Sequence, residues 1–192
     1  MHSNEELAEL YDYLYKTPEA NGSLYGFMNR RAGFFVKYIR EHIEKKSSVL
    51  EVGCGRGQLL RWLRMLEYDV LGTEIADCLL EDDLCGLPVK KMFCSDLHTI
   101  GDEEFDCVIS NDVLEHLSNE QAVIDAFSEC VIISKKHIVM STGGIKAARS
   151  LRGQIHNIIK PAEWWMNLFE NYCVVTETFI ATGSLFIFGE KK

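Results

Sequence analysis

Ser48-Val49-Leu50-Glu51-Val52-Gly53-Cys54-Gly55-Arg56-Gly57-Gln58-Leu59-Leu60 decides the fold. A short apolar run of strand type passes through glycines at alternate positions into a helical pattern, with Leu59, Leu60, Leu63 and Leu66 on one side. Glycine tolerates positive φ and lets a backbone approach a ligand closely. A helix that opens behind such a turn offers N–H groups to an anion. The next apolar run, Asp69-Val70-Leu71-Gly72-Thr73, ends at Glu74, 21 residues after Gly53. A carboxylate at the end of a second strand can accept hydrogen bonds from both ribose hydroxyls of an adenosine-containing cofactor. The structural alternatives are a tight turn without a ligand and an acid that complements a helix dipole.

Outward from this unit the chain alternates strands and helices. Helices are expected over 4–16, with Leu7, Leu10, Tyr11 and Leu14 on one face, and over about 27–45, using Phe34, Phe35, Tyr38, Ile39 and Ile43. Thr17 to Gly22 separates them. Further strands are expected at 89–94, 105–110 and 137–141, with helices at 57–67, 76–85 and 119–131 and one starting at Pro161. Cys173–Ile180 and Ser184–Gly189 flank a short turn and form an antiparallel hairpin. The pattern predicts an α/β fold in one domain: a Rossmann-like, doubly wound, seven-stranded sheet, mostly parallel, with the hairpin at its C-terminal end. Residues 1–44 form a helical cap and 45–192 the main domain, in which 143–171 is an acceptor-side insert. No internal repeat is visible.

Composition narrows the function classes. The 192 residues are 47 % hydrophobic and 26 % charged, which excludes a disordered chain, and 14 Gly with 3 Pro excludes a collagen-like one. Twenty Lys and Arg against 29 Asp and Glu leave a net charge of −9, unfavourable for nucleic acid or an anionic membrane. No apolar run is long enough to span a bilayer, and the polar, acidic N-terminus resembles no signal peptide, so a cytoplasmic protein is expected, as monomer or homodimer. The seven cysteines, Cys54, Cys78, Cys85, Cys94, Cys107, Cys130 and Cys173, include no C-x-x-C pair. Buried reduced thiols are expected, and no metal.

Four stretches in order resemble the class I S-adenosylmethionine-dependent methyltransferases, in their small-molecule branch: Glu51 to Gly57, Gly72-Thr73-Glu74, Cys94-Ser95-Asp96-Leu97, and Phe105 to Leu117. The resemblance covers residues 45–142 well and the terminal hairpin more loosely. It implies that Glu51 and the backbone of Gly53, Cys54, Gly55 and Gly57 hold the methionine end of S-adenosylmethionine, and that Glu74 holds the ribose. It implies that Asp96 accepts from the adenine amino group with Leu97 against the ring. Ile75 joins this set, although Ile75-Ala76 departs from the family's usual adenine contact. Asn111, Asp112 and Val113 would line the pocket beneath the sulfonium. A positive sulfonium suits acidic and carbonyl-rich walls.

On the acceptor side, His116 and His156 are candidate general bases, because imidazole titrates near neutrality. His156 lies in the region that faces the acceptor in this branch, whereas His116 could equally fix the loop behind the fourth strand. Trp164-Trp165 reads as core or lid packing, with substrate stacking as the alternative. Gly143 to Lys160 carries Lys146, Arg149, Arg152 and Lys160 with no acid. It is either a solvated helix face or a clamp, through Arg149 and Arg152, for an anionic small-molecule acceptor. A nicotinamide-dependent oxidoreductase is the competing enzyme class, but the third glycine comes one residue early for its fingerprint. A non-catalytic binding protein on the same fold is the other alternative. Asn111-Asp112-Val113-Leu114 is not the Asn-Pro-Pro-aromatic signature of amino-group DNA methylation.

Overall fold

The structure, a computed structural model, describes residues 4–16, 31–81, 84, 86–102, 104–145 and 156–192. It divides into two compact units, His2–Phe93 and Cys94–Lys192.

The unit His2–Phe93 contains α1 (Asn4–Lys16), α2 (31–42), β1 (Ser48–Val52), α3 (Gln58–Met65), β2 (Asp69–Glu74), α4 (Asp77–Glu81) and β3 (Val89–Lys91). β1 pairs with β2 and β2 with β3, both in parallel. Parallel strands are covered on both faces, and Val49, Leu50 and Val52 are accordingly buried in sequence. α3 packs through Leu59, Leu60 and Leu63. A Cβ on Gly72 of β2 would stand 2.6 Å from Leu60 Cδ1 and 2.7 Å from Cys54 Sγ, so the approach of α3 to the strand requires glycine there.

Element ends differ from the sequence expectation for local reasons. α3 spans less than 57–67 because Gly57 (φ 68°) and Glu67 (φ 69°) both take left-handed backbone. α2 stops at residue 42, before Lys46 turns left-handed at φ 68°, and Tyr68 Oη donates to the carbonyls of Ile39 (3.4 Å) and Ile43 (3.1 Å). β3 ends at Lys91 rather than Cys94, because Cys94–Thr99 is a 3-10 turn. In that turn Thr99 Oγ1 donates to the Asp96 carbonyl at 2.7 Å and the Ile100 N–H to that of Leu97 at 2.9 Å. Such local bonds compete with a strand ladder.

The unit Cys94–Lys192 contains β4 (Phe105–Asn111), α5 (Glu120–Ile133), β5 (Ser134–Thr142), α6 (Ala162–Tyr172), β6 (Cys173–Ala181) and β7 (Ser184–Lys191). β4 pairs with β5 in parallel, and β7 pairs antiparallel with both β5 and β6. Asn119 caps α5, its side chain accepting the Ala122 N–H at 2.9 Å. Pro161 is the residue before α6 rather than its first, with ψ at 157°. The hairpin closes through Thr182 (φ 52°) and Gly183 (φ 82°), two positive angles that mark a type I′ turn matched to strand twist. Phe127, Trp165, Phe169, Phe186 and Phe188 are fully buried, with Phe127 and Phe169 rings 5.4 Å apart. Trp165 is therefore core, as one expected reading had it.

The strand order is β3-β2-β1-β4-β5-β7-β6, seven strands of which β7 runs against the rest. This is the expected doubly wound α/β topology with a terminal hairpin at one edge. No described helix is long and apolar enough to cross a membrane.

Candidate functional site

β1 delivers its chain into a loop in which Gly53, Gly55 and Gly57 stand at φ 66°, 52° and 68°. Residues with a Cβ rarely take these angles, so the alternating glycines are a backbone requirement. The loop is tied to β2 at several points. Cys54 N–H donates to the Thr73 carbonyl at 2.8 Å, and Gly55 N–H donates to Glu74 Oε2 at 2.8 Å. Glu74 Oε1 accepts from Ile75 N–H at 2.8 Å and Ala76 N–H at 3.0 Å. Glu74 is only 4 % exposed, and burial raises its carboxyl above the ordinary range against the pull of these three N–H donors. The structure thus brings Glu51, Gly53, Cys54, Gly55, Gly57, Glu74 and Ile75 to one end of the parallel strands of this unit.

Glu51 is 2 % exposed, and its Oε2 has no hydrogen-bond partner among the described residues. Burial pushes its carboxyl well above the usual range, the Glu74 charge adds to this, and the Leu60 N–H opposes it. Burial and the same two carboxylates also push the Cys54 thiol far up. Cys54, Cys78, Cys94, Cys107, Cys130 and Cys173 are free thiols; Cys85 lies outside the described residues.

Two neighbours of this region, Tyr15 and Asp12, are not marked by any sequence pattern. Tyr15 of α1 brings its hydroxyl 3.0 Å from where a Cβ on Gly55 would stand, and its carbonyl accepts from Arg56 Nη2 at 3.1 Å. The Arg56 guanidinium lies 5.8 Å from the Tyr15 ring centre. Asp12 of α1 accepts the Cys78 N–H at 3.0 Å near the start of α4. Burial acts upward on the Asp12 carboxyl, but the Cys78 donors and Lys16 bring it below its ordinary value. The pattern of α1 showed an apolar face but not what that face covers.

In the unit Cys94–Lys192, Asp96 and Leu97 sit in the 3-10 turn, Leu97 fully buried and Asp96 Oδ1 accepting from Ser95 Oγ at 2.9 Å. β4 ends at Asn111, followed by Asp112 at φ 53°. The Ser141 hydroxyl on β5 lies 2.9 Å from both Asn111 Oδ1 and Asp112 Oδ1. Val113 leads into the short 3-10 turn Leu114–His116.

That turn carries a cluster of titratable side chains. Glu115 is 0 % exposed, and its Oε1 accepts the Gly143 N–H at 2.7 Å. Its carbonyl accepts from Asn157 and Ile158 N–H, both at 3.0 Å, while Asn157 Nδ2 donates to the His116 carbonyl at 2.9 Å. These bonds bring His156 against His116, rings edge to face with centres 4.8 Å apart. The two histidines are therefore one cluster, with Glu115 as a third member the sequence reading passed over. Of the basic segment, Lys146, Arg149 and Arg152 lie outside the described residues. Lys160 pairs with Glu120 and stands 5.7 Å from the Trp164 ring centre.

A family model described as a methyltransferase domain matches residues 25–181. No curated protein matches the chain. Among solved structures, magnesium protoporphyrin IX methyltransferase (ChlM) from Synechocystis PCC 6803 with bound SAM is similar at 13 % identity and a TM-score of 0.75, over 100 % of this chain and 98 % of that one. N-methyltransferase NodS from Bradyrhizobium japonicum WM9 in complex with S-adenosyl-l-homocysteine is similar at 13 % identity and a TM-score of 0.73, over 96 % and 97 %. The PH0226 protein from Pyrococcus horikoshii OT3 is similar at 16 % identity and a TM-score of 0.71, over 86 % and 91 %.

Proposed function

The chain belongs to the methyltransferase-domain family, and from its site we propose that it transfers a methyl group from S-adenosylmethionine to a small-molecule acceptor. The observation that carries the reading is the glycine loop, left-handed at Gly53, Gly55 and Gly57 and bonded to the buried carboxylate of Glu74. The residues present fit the donor. Glu51 Oε2 is a buried acceptor without a partner among the described residues, and the loop opens α3 with N–H groups suited to a carboxylate. Glu74 Oε2 accepts a single backbone bond and keeps a lone-pair site for a ribose hydroxyl, whereas Oε1 already accepts two. Magnesium protoporphyrin IX methyltransferase and NodS, similar in fold, are structures with SAM and S-adenosyl-l-homocysteine.

When bound, the donor supplies an electrophilic methyl group on a sulfonium. Glu51 and the backbone of Gly53, Cys54, Gly55 and Gly57 hold its methionine end. Glu74 accepts from the ribose hydroxyls, with Ile75 beside it. Asp96 takes the adenine amino group, Leu97 lies against the ring, and Asn111, Asp112 and Val113 line the sulfonium pocket. The acceptor binds at Glu115, His116 and His156, where the proton of an acceptor hydroxyl is handled. Transfer needs alignment of nucleophile, methyl and sulfur, and the protein's main contribution is positioning. Residues 1–44 act as a cap, a role favoured by the contact of α1 with the glycine loop. Segment 143–171 forms the acceptor side, where Arg149 and Arg152 select an anionic acceptor.

The test is incubation of the purified chain with methyl-labelled S-adenosylmethionine and a panel of small hydroxy, amino and carboxylate acceptors, read by mass spectrometry. Label should appear on an acceptor together with S-adenosylhomocysteine, and Gly55→Val should abolish it. Donor neither bound nor consumed contradicts the proposal.

A further inference from the structure

We propose that Glu115, His116 and His156 form a binding site for a divalent transition-metal ion, which receives an oxygen of the methyl acceptor. The sequence predicts no metal, because its cysteines include no C-x-x-C pair, and His116 and His156 are 40 positions apart. In the structure the ligand atoms of the three side chains lie within 4.8 Å of one another. First-row metals hold such ligands at about 2.0–2.2 Å, which puts neighbouring ligand atoms roughly 3.3 Å apart. Binding the ion would draw the ligand atoms closer by up to about 1.5 Å.

The surroundings are built around this approach. The segment 156–160 is fastened to the turn by the N–H groups of Asn157 and Ile158 on the Glu115 carbonyl and by Asn157 Nδ2 on that of His116. The Lys160 N–H on the Gly144 carbonyl, at 2.9 Å, fastens its other end. Gly143 and Gly144 leave the room. A Cβ on Gly143 would meet His156 Cε1 at 3.0 Å and Glu115 Oε1 at 3.3 Å, and one on Gly144 would meet the Ile158 carbonyl oxygen at 2.4 Å and Glu115 Cβ at 3.1 Å. Glu115 Oε1 is oriented by the Gly143 N–H, the kind of supporting bond that fixes a metal-ligating carboxylate.

Two imidazoles and one carboxylate suit Zn²⁺, Mn²⁺ or Fe²⁺ better than Mg²⁺ or Ca²⁺, which prefer all-oxygen shells. Three protein ligands leave positions open. The ion's role in turnover rests on the methyl-transfer reading. It would lower the pKa of an acceptor hydroxyl so that the proton leaves to water. The oxygen lone pair then forms the O–CH3 bond, and the electron pair of the broken C–S bond returns to sulfur, leaving a neutral thioether.

The experiment uses the full chain stripped with EDTA, titrated with MnCl2 under electron paramagnetic resonance, a probe with little affinity for thiols. One equivalent should bind saturably. Affinity should fall at least tenfold in His116→Ala and in His156→Ala and stay unchanged in His98→Ala, an exposed histidine on the 3-10 turn. His156→Gln, which keeps side-chain bulk, should lose affinity with an unaltered melting curve. Saturable binding absent from the wild type, or affinity kept in His116→Ala, His156→Ala and His156→Gln, overturns the site. S-adenosylhomocysteine binding on the same samples separates the two readings. Its absence beside intact Mn²⁺ binding contradicts methyl transfer alone, and its presence without Mn²⁺ binding contradicts the metal site alone.

Discussion

Glu74 Oε2 accepts the Gly55 N–H at 2.8 Å, so the acid that ends β2 is hooked to the loop that leaves β1. One side chain thus serves the fold and the candidate ligand site together. It holds the left-handed loop in place, and it presents a carboxylate where the reading places the ribose.

The loop is the first place to test. Gly55→Val should abolish S-adenosylhomocysteine binding. A Cβ at position 55 would meet Tyr15 Oη at 3.0 Å on backbone at φ 52°, and a β-branched residue there costs about 1–3 kcal/mol in strain. Circular dichroism should still report a folded chain, and binding retained at wild-type affinity would reduce the loop to a turn.

Glu51→Gln should stabilise the free protein at neutral and alkaline pH. Burial raises the folded carboxyl well above its ordinary value, so the folded state holds a proton that the unfolded chain has released. Stability is lost as pH rises from the unfolded value, about 4.3, through the raised folded one. The amide removes that loss, so the gain in Tm should be largest at pH 8 and vanish toward pH 4. For a chain of this size each kcal/mol recovered moves Tm by about 2–4 °C. A pH-independent difference between the proteins would contradict the burial argument.

Asn119→Ala should destabilise by about 1 kcal/mol, because it removes the acceptor of the Ala122 N–H at the start of α5. Denaturant unfolding measures this. Gly at the same position should cost only a few tenths of a kcal/mol, and equal losses for the two variants would argue against a capping bond.

Once an acceptor is known, His156→Ala should lower kcat by about 10²-fold or more while leaving S-adenosylhomocysteine affinity unchanged. Arg149→Ala with Arg152→Ala should instead raise KM for an anionic acceptor. Unaltered steady-state kinetics in the arginine pair would make those residues a solvated surface.

What the sequence disclosed follows from which interactions are local. β1 was readable to the residue, Ser48–Val52, because a buried parallel strand is a continuous apolar run with glycine behind it. The hairpin was readable from the short turn Ala181-Thr182-Gly183, which the structure narrows to Thr182-Gly183 by pairing Ala181 with Ser184. The end of β3 was not, because side chains of the 3-10 turn Cys94–Thr99 capture the backbone beyond Lys91. In the site, Glu74 was legible through its distance from the glycine loop. Tyr15 and Glu115 were not, since one reaches Gly55 from 40 residues away and the other reaches Gly143 from 28, and no pattern encodes such separations. His116 and His156 each stand out in the sequence as imidazoles, but only the bonds of Glu115, Asn157 and Ile158 make them a pair.

Isothermal titration of the purified chain with S-adenosylhomocysteine, repeated on Glu74→Ala, tests the donor site most directly. The account predicts one saturable site in the micromolar range, weakened by about 1–3 kcal/mol when the Glu74 carboxylate is removed. No binding to the wild type, or the same affinity in Glu74→Ala, would contradict it.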